Sequence, residues 1–200
     1  MKTILFVILD KYADFEAAYL SSAIYLLGGN NYEVKTVSLK KKIIKSIGGF
    51  KTVPDFEIDL APNNFEALIL IGGMSWRNES SKEVQKLVDK CLDEEKILGA
   101  ICDATVFLGS MSVLNNVYHT SNDLNDLKTY AGKFYTGEHK YIMRQAVSDK
   151  NIITANGTAP LEFAKEVLLK VGIAPEEDIY EWYNFHKLGS YTVPLPIQNY

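Results

Sequence analysis

The sequence predicts an α/β fold, a doubly wound and mainly parallel sheet with helices on both faces, and three observations point there. Apolar runs of strand length are nearly continuous rather than alternating, as in strands covered on both sides. They alternate along the chain with patterns of helical period. The 200 residues are 47% hydrophobic, enough to bury the core that such a sheet needs.

The elements follow in order. Thr3 to Leu9 is a strand ended by Asp10, and Asp14 to Leu27 is the helix behind it. Glu33 to Ser38 is the second strand. Lys42 to Ile58, with Gly48-Gly49 at its centre, breaks the alternation and reads as a β-hairpin excursion. Ala67 to Ile71 is a strand, Ser81 to Glu95 a helix, Leu98 to Ile101 a strand and Ala104 to Leu114 a helix. Asn115 to Val147 has mixed polarity, with Tyr141 to Val147 as a strand. Asn151 to Ala155 and Ala159 to Val171 complete the alternation. Ile173 to Tyr200 is rich in aromatic residues, carries Pro194-Leu195-Pro196 near its end, and is expected to pack on the domain or on a second subunit. Without repeats or a linker, residues 1–200 read as one domain.

Composition narrows the function. A net charge of −4 gives no basic footprint for nucleic acid, and the run Lys40 to Lys42 with Lys45 reads as a solvated turn. The apolar run Thr3 to Leu9 is too short for a signal segment or a membrane span, so a cytoplasmic protein without membrane partners is expected. Two cysteines, Cys91 and Cys102, do not make a disulfide framework. Cys91 lies in a helical pattern beside Leu87, Val88 and Leu92 and reads as a small core residue. No His, Cys, Asp and Glu set has metal-ligand spacing and no phosphate-binding glycine loop is present, so neither metal nor cofactor is expected.

In doubly wound sheets the ligand crevice lies beyond the C-terminal strand ends. Cys102 sits at one, between Leu98-Gly99-Ala100-Ile101 and the helix that follows, with Ala100 and Ala104 two positions either side. Small-x-Cys-x-small is the cysteine form of the strand-turn-helix nucleophile elbow. A helix N-terminus there is expected to favour thiolate and lower the thiol pKa. Glu16, after the first strand, can move protons or hydrogen-bond the sulfur. Gly72 and Gly73, after the third, can present backbone N–H groups that with the N–H of Asp103 form an oxyanion hole. Among three histidines, His119 is the first candidate general base, ahead of His139, while His186 reads as packing or interface. Trp76 reads as a core aromatic or as a wall of a small apolar pocket.

Leu70-Ile71-Gly72-Gly73, Gly99-Ala100-Ile101-Cys102, Asp14-Phe15-Glu16 and Asn156-Gly157-Thr158-Ala159-Pro160-Leu161-Glu162-Phe163-Ala164 together resemble the ThiJ/PfpI superfamily, over about Lys2 to Lys170. The superfamily includes the human parkinsonism-associated protein. The resemblance implies a flavodoxin-like, class I glutamine amidotransferase-like fold. It further implies Cys102 as nucleophile, Glu16 as its buried carboxyl partner, Gly73 with the Asp103 backbone as oxyanion hole, and a homodimer. Two departures narrow it. Asp103 stands where the peptidase branch has histidine, which disfavours an intracellular cysteine peptidase, and Glu138-His139 reverses the order of the amidotransferase His-x-Glu. Tyr118-His119-Thr120-Ser121-Asn122 resembles a bacterial subgroup, and His139 falls where some members place a histidine near the cysteine.

Three functions fit. One is a cofactor-free hydrolase or lyase acting on a small carbonyl or amide substrate, glyoxalase III-like or amidase-like. The others are a cysteine redox sensor and a stress or chaperone-like protein without turnover.

Overall fold

The computed structural model describes residues 1–194, so Leu195 and Pro196 of the C-terminal segment lie outside the described residues. Strand β1 (Lys2–Val7) leads into helix α1 (Asp14–Gly28), then β2 (Tyr32–Ser38). The short β3 (Ile44–Lys45) and β4 (Lys51–Thr52) pair antiparallel as a separate hairpin, and β5 (Phe56–Glu57) returns to the main sheet. Next come β6 (Ala67–Leu70), α2 (Gln85–Asp93), β7 (Ile97–Ile101), α3 (Asp103–Ser110) and α4 (Leu124–Ala131). The described chain closes with β8 (Ala146–Asp149), β9 (Ile152–Ala155), α5 (Pro160–Val171) and α6 (Glu176–Leu188).

The seven-stranded sheet has the order β5-β2-β1-β6-β7-β9-β8 and is parallel except for β8 against β9. The period of two along each strand divides the apolar runs between two cores. Leu5, Val7, Leu68, Leu70, Leu98 and Ala100 pack with α2, α3 and α4 on one face. Ile4, Phe6, Ala67, Ile69, Ile101 and Ile153 pack with α1, α5 and α6 on the other. This is the doubly wound architecture that the alternation predicts, and β1, β6 and β7 point their C-terminal ends into one crevice.

The departures from the sequence reading have local causes. The helix expected over Ser81 to Glu95 is shared between a 3-10 segment, Glu79–Val84, and α2. That expected over Ala104 to Leu114 ends at Ser110, because Ser112 turns left-handed at φ 64° and a 3-10 turn follows. Of the strand expected over Tyr141 to Val147, only Ala146 and Val147 enter β8, while Tyr141 makes a single bridge to His119. Helix α4 was hidden in the mixed stretch. Its signals are Asp123, whose carboxylate caps Asp126 N–H at 2.8 Å, and the buried Leu127 and Ala131 four residues apart. In the aromatic C-terminal segment, α6 buries Ile179 and Trp182 against α1 and α5, so its described part packs on the domain.

Candidate active site

The turn after β7 begins with Cys102 at φ 59° and ψ −132°, outside the regions that side chains with a Cβ ordinarily occupy. Its N–H donates to Ala155 O at 3.0 Å, tying the elbow to β9. Its carbonyl accepts from Thr105 N at 3.0 Å and Thr105 Oγ1 at 2.6 Å, and that hydroxyl also meets Ser121 Oγ at 2.7 Å. The strained conformation is thereby fixed from both sides, and the sulfur stands at the crevice between the strand ends.

Two glycines make room for it. A Cβ on Gly157 would lie 2.9 Å from the Cys102 sulfur and 3.2 Å from Glu16 Oε1. One on Gly72 would lie 2.5 Å from Cys102 Cβ and strike Glu16 Oε2. Glu16, in the first turn of α1, is 1% exposed and faces the thiol across this gap. Burial pushes its carboxyl up to about 7, against the opposing effects of the Cys102 thiol and the Gly72 backbone. The thiol is also pushed up, by burial first and by Glu16 second. The expected lowering by the helix N-terminus is thus outweighed. Asn122 Nδ2, donating to Sγ at 3.2 Å, and the Asp103 backbone pull the other way without prevailing. Thiol and carboxyl titrate as a pair that keeps at least one proton through neutral pH.

Asn122 went unassigned in the sequence reading. Its Nδ2 reaches the sulfur while its Oδ1 accepts from Gly157 N–H at 2.7 Å, so one amide ties the thiol to the wall opposite. Arg77 was also missed. It forms paired hydrogen bonds to Asp103 (2.8 and 2.7 Å) and to Asp126 (3.0 and 2.6 Å), clamping the first residue of α3 to α4. Asn122 closes the Tyr118-His119-Thr120-Ser121-Asn122 motif, where attention fell on the histidine, and Arg77 lies in no motif; only folding brings them to the cavity of Cys102.

Around these groups lies a cavity of about 970 Å³ whose lining includes Glu16, Gly73, Cys102, Asp103 and Asn122. Gly73 at φ 144° packs on the Tyr12 backbone, where a Cβ would lie 2.6 Å from Tyr12 Cα. Gly73 and Asp103 border the cavity, whereas Gly72 turns toward Glu16. The hairpin contributes Ile47, held because Ser46 hydroxyl donates to Asp14 and Ile47 N–H donates to Tyr12 O at 2.9 Å.

The other candidates lie elsewhere. His119 is fully buried, its ring nitrogens engaged by Val117 O at 2.8 Å and Tyr135 hydroxyl at 2.7 Å. Burial holds its pKa below the usual histidine value. His139 lies in a 3-10 turn, Glu138–Lys140, and does not line the cavity. His186 packs against Trp182 and Tyr19 on α6 and α1. Trp76 is buried, donates from Nε1 to Ile71 O at 2.7 Å and packs on Phe107, so it is a core aromatic and not a cavity wall.

The model of the DJ-1/PfpI family matches residues 2–170. The chain belongs to the DJ-1/PfpI family. It is 42% identical over 191 residues to a Bacillus subtilis (strain 168) protein named "Uncharacterized protease YdeA", covering 96% of this chain and 94% of the relative. A DJ-1 superfamily protein from Agrobacterium tumefaciens superposes with a TM-score of 0.85 at 33% identity, over 94% of this chain and 99% of the other. A thiJ/pfpI family protein from Bacillus anthracis gives 0.85 at 34%, over 94% and 92%. The resemblance read from the four motifs is therefore the family of the chain. Among the described residues that line the cavity, the base facing the thiol is the Glu16 carboxyl.

Among the described residues no helix is long and apolar enough to cross a membrane.

Proposed function

We propose that the protein is a cofactor-free enzyme in which the Cys102 sulfur adds to a small carbonyl compound while Glu16 takes the thiol proton. The observation that carries this reading is the contact of a strained elbow cysteine with a buried carboxyl raised to about 7. A base poised near neutral pH is half ionised there and matched to proton transfer. In this reading Asn122 steadies the sulfur as it gains charge, and N–H groups at Gly73 and Asp103 receive the oxyanion.

With a 2-oxoaldehyde the steps balance without a redox partner. The sulfur bonds to the aldehyde carbon, the oxygen takes a proton, and a tetrahedral thiohemiacetal results. Moving the carbon-bound proton to the neighbouring carbon through an enediol oxidises the first carbon and reduces the second, leaving a 2-hydroxyacyl thioester. Water then cleaves the thioester, releasing a 2-hydroxy acid and restoring the thiol. Amide hydrolysis would use the same sulfur and oxyanion site, with an amine leaving. Histidine-assisted peptidase chemistry has less support, because Asp103 follows the cysteine and the described residues that line the cavity include no histidine.

The test is lactate production from methylglyoxal by the wild type and by Cys102→Ser, without glutathione or metal. Turnover abolished by the substitution supports the reading, and no turnover in the wild type overturns it for this substrate class.

A redox-sensing role is favoured by the same contact, because a protonated Glu16 could donate to a sulfinate on Cys102. A mass gain of two oxygens after mild peroxide, diminished in Glu16→Gln, would support it. Exposed Ile43, Phe50 and Val53 around the hairpin are apolar surface that a second copy would cover, which supports a homodimer, testable by sedimentation.

A further inference from the structure

We infer that the Cys102 cavity selects uncharged electrophiles bearing an apolar substituent and turns carboxylates away. The inference rests on the thiol chemistry proposed above and deepens it. It follows from how the cavity wall is divided.

One side is apolar. Phe15 at the start of α1, Ile47 on the hairpin and Met74 after the Gly72-Gly73 turn line the mouth and are 48, 47 and 69% exposed. Three large apolar side chains from three separate segments, left in water around one opening, gain from covering by an apolar group.

The opposite side is polar, and its side chains are engaged with one another. Asn122 is occupied by Sγ and Gly157 N–H. Asn156 Oδ1 accepts from Thr158 N at 3.0 Å and Thr158 Oγ1 at 2.6 Å, while its Nδ2 donates to Gln145 at 2.6 Å. A polar substituent entering there would break existing bonds to make its own.

The charge decides the third point. Among the described residues that line the cavity Arg77 is the sole cation, and Asp103 and Asp126 enclose it with four hydrogen bonds. Two carboxylates against one guanidinium leave this cluster negative, and ionisation of the Glu16–Cys102 pair adds to it. The nearby cations face other clefts. Lys11 and Lys45 line one with Asp10, beyond Ile47 and Met74, and Arg144 lies in another, beyond Asn122 and Asn156. A carboxylate brought to the sulfur meets like charge without a free counter-ion.

The experiment is site-specific alkylation in a Cys91→Ala background, followed by intact mass and compared with 2-mercaptoethanol in the same buffer. Iodoacetamide and iodoacetate have the same reacting carbon. In both, sulfur displaces iodide and the thiol proton leaves to solvent. N-methyl-, N-ethyl- and N-benzylmaleimide add sulfur across the same double bond, the neighbouring carbon taking a proton from water.

Relative to the free thiol, Cys102 is expected to prefer iodoacetamide over iodoacetate at least tenfold. N-benzylmaleimide should outpace N-methylmaleimide at least fivefold, in keeping with a gain of about three- to fourfold per fully buried methylene. Asp126→Asn should shrink the preference against iodoacetate, and Phe15→Ser with Met74→Ser should flatten the maleimide series. Ratios within twofold of those for 2-mercaptoethanol, or no labelling of Cys102 by any reagent, overturn the inference. None of these rates requires turnover. Selective labelling without lactate formation defeats the carbonyl-enzyme reading and upholds the inference, and lactate formation with flat ratios does the reverse.

Discussion

Cys91 and Cys102 are eleven positions apart in sequence, one buried and one half-buried, and they occupy opposite kinds of environment. Cys91 lies within α2, fully buried among Leu87, Val88 and Leu98, with Ile97 O at 3.4 Å from its sulfur. Burial pushes its thiol up to about 12. Cys102 is pushed up as well, but its surroundings are a carboxyl, a carboxamide and a cavity. Burial by itself therefore makes a thiol inert. What separates the two is a partner able to take the proton and a path by which a reagent can reach the sulfur.

The largest effect should appear when both thiols are offered to iodoacetamide in the native protein at pH 7.5. Cys102 is expected to react at least a hundredfold faster than Cys91, read by peptide mass. Comparable rates would dissolve the distinction. Converting Cys91 to Ala should cost about 1 kcal/mol of stability, the scale of a small buried deletion, and leave Cys102 labelling intact.

Gly157→Ala attacks the steric side of the comparison. The added Cβ would sit 2.9 Å from the sulfur and 3.2 Å from Glu16 Oε1. Labelling of Cys102 should fall about ten- to a hundredfold while circular dichroism keeps the wild-type fold. An unchanged rate would mean that the sulfur has room that the geometry denies it.

Glu16→Gln attacks the electrostatic side. With the carboxyl raised to about 7, the wild-type alkylation rate should inflect near that pH, and the variant should lose the inflection. Stability follows with a definite sign. A carboxyl whose folded pKa lies above its unfolded value of about 4.5 binds more protons when folded between those values. Unfolding free energy should therefore decline as pH rises from about 4.5 to 7, by roughly 2–3 kcal/mol. In Glu16→Gln this decline should flatten, as urea titrations at several pH values would reveal.

The smallest effect on Cys102 is expected from His119→Ala. Loss of the buried imidazole leaves the Tyr135 hydroxyl without its partner and should cost about 2–3 kcal/mol. The alkylation rate of Cys102 should stay within twofold of wild type. A tenfold loss in a folded His119→Ala would restore histidine as a base for the thiol.

How much of this was legible in the sequence varies by element. The strands β1, β6 and β7 are readable because apolar runs of their length, each followed by a helical pattern, have few other uses. The turn at Cys102 is readable because small residues flank it. Helix α4 was missed because its apolar positions are few and its polar face fills the rest of the stretch. His119 misled for a different reason. Its residue type suits proton transfer, but the type does not reveal whether the ring faces a cavity or a tyrosine.

The sequence by itself determined the family, the doubly wound sheet and the pairing of Cys102 with Glu16 as candidates beyond the C-terminal ends of β7 and β1, which flank β6. Those features depend on local periodicity and on short motifs that directly follow apolar strands, so they are legible before the order of the strands in the sheet is known. Only the tertiary structure decided which residues surround the sulfur. Asn122, Gly157 and Arg77 lie 20, 55 and 25 positions from Cys102 and line its cavity from the segment between α3 and α4, from the turn after β9 and from the segment after β6. The protonation of the pair was decided there too. A helix N-terminus favours thiolate, but burial beside a carboxyl opposes it more strongly, and burial depends on everything packed around the site.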